Sequence, residues 1–173
     1  MEGRMSSNAK IKGNAHKFGD NINTDVHCSN KYTPGLDVDD VSKIALSKLD
    51  EKFHDSFKMG DVLVAGENFG INSSREFAVH VLKKIGISAI VAKSYGRQFF
   101  RNAINNGMPL IECDTDGIDS SDAIEIDLET GKVSVADKNF ERDTPPLPKE
   151  VQAILGAGGL IPFLKEHPDW KLN

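Results

Sequence analysis

Two apolar runs of strand length, Val62 to Ala65 and Ile87 to Ala92, bracket a segment with helical periodicity, and this arrangement limits the fold more than anything else in the chain. Between them Ala78, Val81, Leu82 and Ile85 recur at i, i+3, i+4 and i+7, which makes one apolar helical face. Gly86 stands where a helix commonly ends in a left-handed residue. Strand, helix and strand in this order predict a βαβ crossover with a local parallel sheet, and therefore an α/β chain.

The connection from the first strand to the helix, Gly-Glu-Asn-Phe-Gly-Ile-Asn-Ser-Ser-Arg over residues 66–75, carries the chemistry. Ser73 and Glu76 have capping-box spacing, which by itself accounts for a helix start. A cap leaves the rest of the composition unexplained. Two glycines and two serines on a short connection suit a backbone that something approaches closely. A helix N-terminus favours anions, and Arg75 adds a planar fork that fits a carboxylate or phosphate. The residues thus predict an anionic small-molecule site with a serine beside it. No phosphate-loop lysine follows these glycines, no Gly-x-Gly-x-x-Gly follows a strand, and the serines lack a Gly-x-Ser-x-Gly frame.

The rest of the chain reads as an ordinary soluble protein, with 39% hydrophobic and 27% charged residues. A net charge of −5 argues against nucleic acid as the main partner, and no apolar run approaches a membrane span. Cys28 and Cys113 are isolated, so neither a zinc site nor a disulfide framework is indicated, and a reduced, cytoplasmic setting is expected. Residues 1–11 read as a disordered leader to one domain spanning 1–173. Further elements are expected at Lys12 to Phe18 (a short strand), Val38 to Leu49 (a helix), and a connector in which Phe53 and Phe57 seal the core. A short helix ending at Gly107 leads to a strand from Pro109 to Glu112. Alternation over Ala123 to Leu128 and Lys132 to Ala136, joined by Glu129-Thr130-Gly131, predicts a β-hairpin. Two short helices, Val151 to Leu155 and Leu160 to Leu164, follow. His27 reads as a turn or surface histidine, and Asp114 to Asp122 as a solvated loop.

Phe69-Gly70-x-x-Ser73-Ser74-Arg75-Glu76-x-Ala78 resembles the signature of the swivelling domain of the aconitase superfamily. Two more stretches extend the likeness: Asp20-x-Ile22-x-Thr24-Asp25, and Ser94 to Leu110 with its arginines, an asparagine and the later Gly107-x-Pro109. From Phe18 to Leu164 the chain resembles small subunits of 3-isopropylmalate dehydratase and their close relatives. The resemblance implies a β/β/α three-layer domain like the aconitase C-terminal domain, built on the strand–loop–helix–strand unit and the hairpin. It implies a hydro-lyase that interconverts 2- and 3-isopropylmalate by dehydration and rehydration, in leucine biosynthesis. In that family a 4Fe–4S cluster held by three cysteines takes the departing hydroxyl as a Lewis acid. This chain has two cysteines, so the cluster is expected on a large partner subunit, with no cofactor or metal on this chain.

By the same resemblance Ser73 takes the proton from carbon, Ser74 lends a hydrogen bond and Arg75 holds a substrate carboxylate. Thr24 and Asp25 line the substrate cleft. The loop Val26 to Gly35 sets specificity through Lys31, Tyr32, Thr33 and Pro34. It contains no arginine, which favours a neutral alkyl group over the extra carboxylate of a homoaconitase substrate. His27-Cys28 departs from the family's aliphatic pair, and Phe77 stands where the signature has histidine. A dimethylmalate-type or homoaconitase-type subunit, or a stand-alone anion-binding module, are the alternatives. Arg97 and Arg101 are weaker candidates for holding carboxylates.

Overall fold

The computed structural model describes residues 10–171. Its centre is a seven-stranded sheet in the order β4-β3-β2-β1-β5-β6-β7. β1 (Lys10–Lys17), β2 (Val62–Ala65), β3 (Ala89–Ala92) and β4 (Leu110–Glu112) form a parallel half. β5 (Ala123–Asp127), β6 (Lys132–Val135) and β7 (Phe140–Asp143) continue antiparallel from the other side of β1. The predicted crossover and hairpin are both present.

Side-chain alternation turns this one curled sheet into three layers. Val62, Val64, Ala89 and Val91 point toward Ile124, Ile126, Val133 and Val135 of the antiparallel half and close one core with them. Their neighbours Leu63, Ala65, Ile90 and Ala92 point the other way, into a second core under the helices. A strand buried on both faces reads as an unbroken apolar run, which is why β2 and β3 are so plain in the sequence.

α4 (Glu76–Ile85) packs Ala78, Val79, Val81 and Leu82 into the helical core, and Gly86 ends it at φ 97°. α5 (Arg97–Asn105) lies beside it, with α6 (Lys149–Gly156) and α7 (Leu160–Glu166) against α5. Other elements differ from expectation. β1 begins at Lys10, so the expected leader gives way two residues early, and residues 1–9 lie outside the described part. The helix predicted over Val38 to Leu49 is only α2 (Val38–Ser42), capped by Asp37 Oδ1 accepting from the Asp40 N–H at 2.9 Å. Val41, Ala45 and Leu46 are buried as the periodicity requires, but from separate turns. Leu46 sits at φ 66° and donates its N–H to the His27 carbonyl at 2.9 Å, which breaks the helix and ties it to the loop before it.

One polar knot fixes where β2 starts. Asp61, 4% exposed, accepts from the Asn14 N–H at 2.9 Å, the Lys58 N–H at 2.9 Å and His16 Nε2 at 2.9 Å. His16 packs in turn against the rings of Phe53, on α3 (Phe53–Ser56), and Phe57. Those two aromatics close the core edge, as their spacing in the connector suggests.

Candidate active site

The loops that leave the carboxyl ends of β1 and β2 lie side by side, the place where open parallel sheets bind ligands. They are laced together: the Glu67 N–H donates to Asp20 Oδ1 at 2.7 Å, the Asn21 N–H to the Glu67 carbonyl at 2.7 Å, and the Gly70 N–H to the Ile22 carbonyl at 2.8 Å. The β2 loop is also bolted to the chain leaving β3. Asn68 donates its N–H to Ser94 Oγ at 2.8 Å, and Gly96 donates to the Phe69 carbonyl at 2.8 Å. The contact leaves no room for a side chain, because a Cβ on Gly96 would meet the Gly70 carbonyl oxygen at 2.6 Å.

This lacing delivers Ser73 to Asp25. Asp25 belongs to α1 (Thr24–His27), a single helical turn capped by Asn23 Oδ1 accepting the Asp25 N–H at 3.0 Å. Ser73 Oγ donates to Asp25 Oδ1 at 2.8 Å, with the two residues 3% and 4% exposed. The expected capping box is therefore not formed. α4 opens at Glu76 with Arg75 as its extended N-cap and no side-chain cap bond. Ser73 thus lies two residues before the N-cap, where its oxygen meets no helix N–H, and its hydroxyl donates to the buried carboxylate. Glu76 instead accepts from Asn106 Nδ2 at 2.6 Å.

Two cations attend the same carboxylate. Lys31 Nζ lies 3.2 Å from Asp25 Oδ2, and Arg75 Nε lies 3.8 Å from Oδ1. The hydrogen bond to Asp25, with help from Tyr32, holds the Lys31 ammonium above its ordinary pKa. Two positive charges against one negative leave the site with a surplus cation facing solvent, since both long side chains are partly exposed. Ser74 is exposed beside them. The arrangement is a hydroxyl oriented by a carboxylate within a cationic rim, suited to a substrate bearing carboxylates.

The remaining expected residues divide. Thr24 exposes no surface, and its Oγ1 is buried without a partner, so it faces the interior and not an open cleft. Lys31 reaches into the site, whereas Tyr32 and Pro34 are exposed and Thr33 is half-buried. Tyr32 helps line a recess of about 100 Å³ next to Asp25, with Val26, His27, Val41, Ile44 and Lys48. Burial, and then the Lys48 charge, push the His27 imidazole below its ordinary pKa of 6.5, and its Nδ1 is buried without a partner. His27, expected as a turn or surface histidine, is thus the half-buried last residue of the α1 turn and a neutral wall of that recess. Arg97 and Arg101 are exposed on α5 and make no bond to Ser73 or Asp25. Phe77 is half-buried against the helical core, outside the chemistry. What the sequence reading missed is the pairing itself: nothing in the spacing of residues 25, 31 and 73 announces that they meet.

The donor set of this chain does not fit an iron–sulfur cluster. Cys28 is fully buried with its thiol pushed far up by desolvation, and burial lifts Cys113 to about 11, so neither is poised as a thiolate ligand. Among the described residues no three His, Cys, Asp or Glu side chains converge, and no helix is long and apolar enough to cross a membrane.

Comparison with known proteins accounts for these features together. The aconitase C-terminal domain family matches residues 2–115. The 3-isopropylmalate dehydratase small subunit of Caldicellulosiruptor saccharolyticus is 46% identical over 157 residues, covering 90% of this chain and 91% of that protein. The methanogen homoaconitase small subunit of Methanocaldococcus jannaschii is 45% identical over 160 residues, 91% of this chain and 92% of that one. A crystal structure of 3-isopropylmalate dehydratase from Methanocaldococcus jannaschii superimposes with a TM-score of 0.84 at 42% identity, over 92% of this chain and 95% of that one. With its three-layer sheet and its Ser-Ser-Arg loop set on an aspartate, the chain belongs to the aconitase C-terminal fold and to the family of 3-isopropylmalate dehydratase small subunits, hydro-lyase subunits that act with a larger partner.

Proposed function

We propose that this chain completes the active site of a cytoplasmic isopropylmalate isomerase, supplying the proton-transfer serine and a carboxylate-binding rim to a cluster-bearing large subunit. The observation that carries the reading is the 2.8 Å contact between Ser73 Oγ and Asp25 Oδ1. A serine hydroxyl is a very weak base, because its conjugate alkoxide is unstable in water. With Asp25 in place the alkoxide need not accumulate. As Ser73 Oγ takes the proton from the substrate carbon, its own proton passes along the existing hydrogen bond to the Asp25 carboxylate. The negative charge that leaves Asp25 passes to the substrate, whose carboxylate faces Arg75 and Lys31. The electron pair of the broken C–H bond forms the double bond as the hydroxyl on the neighbouring carbon leaves as hydroxide, a departure for which the large subunit's cluster would supply the Lewis acid. Rehydration runs the same transfer in reverse, with Ser73 returning the proton.

The recess beside Asp25 supports an alkyl side group. Val26, Val41, Ile44 and Tyr32 supply apolar walls, and neutral His27 adds no positive charge. A substrate with a branched alkyl group fits these walls better than one with a third carboxylate, although Lys48 stands at the margin.

The test is an anaerobic assay with the large subunit, following alkene formation separately from 3-isopropylmalate, 2,3-dimethylmalate and homocitrate. Turnover of isopropylmalate that needs both chains, and that Ser73→Ala abolishes, is expected. Tight anion binding by this chain alone, with no turnover of any malate, would replace this reading with a stand-alone binding module.

A further inference from the structure

Residues 73–75 belong to no helix or strand, yet they hold Ser73 and Arg75, two of the side chains on which the proposed chemistry depends. Among the described residues, few bonds fix this segment from outside. Ser73 Oγ is held by Asp25 at 2.8 Å on one side. On the other, Asn102 Nδ2 of α5 donates to the Ser74 carbonyl oxygen at 3.2 Å. One turn further along α5, Asn106 Nδ2 donates both to Glu76 Oε1 at 2.6 Å and to the Asn102 carbonyl at 2.8 Å. The Ser73 N–H itself makes only a long 3.4 Å bond to the Gly70 carbonyl.

We propose that Asn102 is a positioning residue for the reaction: its hold on the Ser74 carbonyl fixes the plane of the Ser74–Arg75 peptide, and so holds Arg75 directly, and Ser73 through the Ser74 backbone, toward the substrate. The inference rests on the reading of Ser73 and Arg75 given above. That peptide joins the two groups that must act together, so its rotation displaces Arg75 relative to Ser73. α5 is a suitable anchor, because Phe99, Ala103 and Ile104 are buried in the core and fix the helix. Asn102 is half-buried, so it acts from the edge of the site without touching substrate. Free rotation at Ser74 converts a fixed constellation into an ensemble, and misplacing a reacting group by about 1 Å costs about 100-fold in rate.

The test compares Asn102→Ala and the near-isosteric Asn102→Asp, which has no N–H to donate, with Asn105→Ala on the exposed side of the same helix. Each is assayed with the large subunit, and each isolated full chain is followed by thermal melting and backbone ¹⁵N relaxation. Both Asn102 variants are expected to lose kcat by at least about tenfold with KM changed by less than about threefold. Ser74 and Arg75 should gain mobility while Val79 to Ile85 stay rigid, and Asn105→Ala should match wild type in every respect. Unchanged mobility at Ser74 and Arg75, or a kcat that falls only in step with the folded fraction, would overturn the proposal. The relaxation measurement needs no substrate, so an inactive wild-type pair would sink the functional reading while the mobility of residues 73–75 still judges the role of Asn102.

Discussion

Replacing Asp25 by asparagine tests the proton path directly, and the structure sets the scale of the effect. The substitution keeps shape but leaves one acceptor oxygen where there were two. With that oxygen toward Ser73, the new amide N–H₂ faces the Lys31 ammonium, donor against donor. Flipped, it keeps Lys31 but donates to Ser73 Oγ and reverses the direction of that hydrogen bond. The Ser73 bond is buried and charge-assisted, of a kind that contributes about 1.5–3 kcal/mol, and a neutral bond returns part of it. The Lys31 pair is 40% exposed on the lysine side, so solvent screens it and the buried Ser73 bond dominates the change. A net loss of about 1.5 kcal/mol lowers Tm by about 3–6 °C in a chain of this size. The kinetic effect is larger. Asparagine accepts no proton at neutral pH, so kcat for isopropylmalate dehydration with the large subunit should fall by about 100- to 1,000-fold. KM should hold or improve, because the rim loses its negative charge and keeps both cations. If Asp25→Asn retains kcat within about threefold of wild type while Ser73→Ala is inactive, Asp25 does not receive the proton and the relay is wrong.

Other consequences of the geometry can be measured on the isolated chain. Asp61→Ala strands the N–H groups of Asn14 and Lys58 and should cost about 3 kcal/mol or more in urea unfolding at pH 7. Burial alone would raise the Asp61 pKa, but its bonds from Asn14, His16 and Lys58 overcome that and hold the carboxyl below 3.8. Its stabilisation is therefore complete above the unfolded pKa and is lost as pH falls through the folded one, so the gap between wild type and Asp61→Asn should hold down to 3.8 and narrow only as pH falls from there toward the folded value. His27→Ile removes an orphan buried nitrogen and should raise stability by about 1 kcal/mol at neutral pH. Because the folded pKa of His27 lies below 6.5, wild type should weaken relative to this variant as pH drops from 6.5 toward that folded value; parallel pH curves would refute the assignment. Gly96→Ala brings a methyl against the Gly70 carbonyl and should cost about 1–3 kcal/mol with a loss of turnover. Wild-type melting and activity in that variant would show that the loop can shift freely.

The sequence by itself determined the parts of this protein that local periodicity encodes. β2 and β3 are buried on both faces and α4 on one, so their apolar patterns are unbroken and their places certain. The β5–β6 hairpin declares itself because each strand alternates cleanly around a glycine turn. β1 is fainter, since the run KIKGNAHK offers few apolar residues and takes its place by pairing on both edges. β7 was missed for the same reason: in Phe-Glu-Arg-Asp only Phe140 is buried. The residues of the site were also legible, as residue types in three separate motifs. Tertiary structure decided what they do to one another. Ser73 satisfies the spacing of a capping box, and a chain read locally assigns it to its own helix. The helix instead starts at Glu76 with Arg75 as its N-cap, out of capping reach of Ser73, and the fold carries Asp25 across from a turn 48 residues away to accept the Ser73 hydroxyl. Long-range contact of that kind leaves no trace in spacing, because it depends on which groups the finished fold brings together away from water.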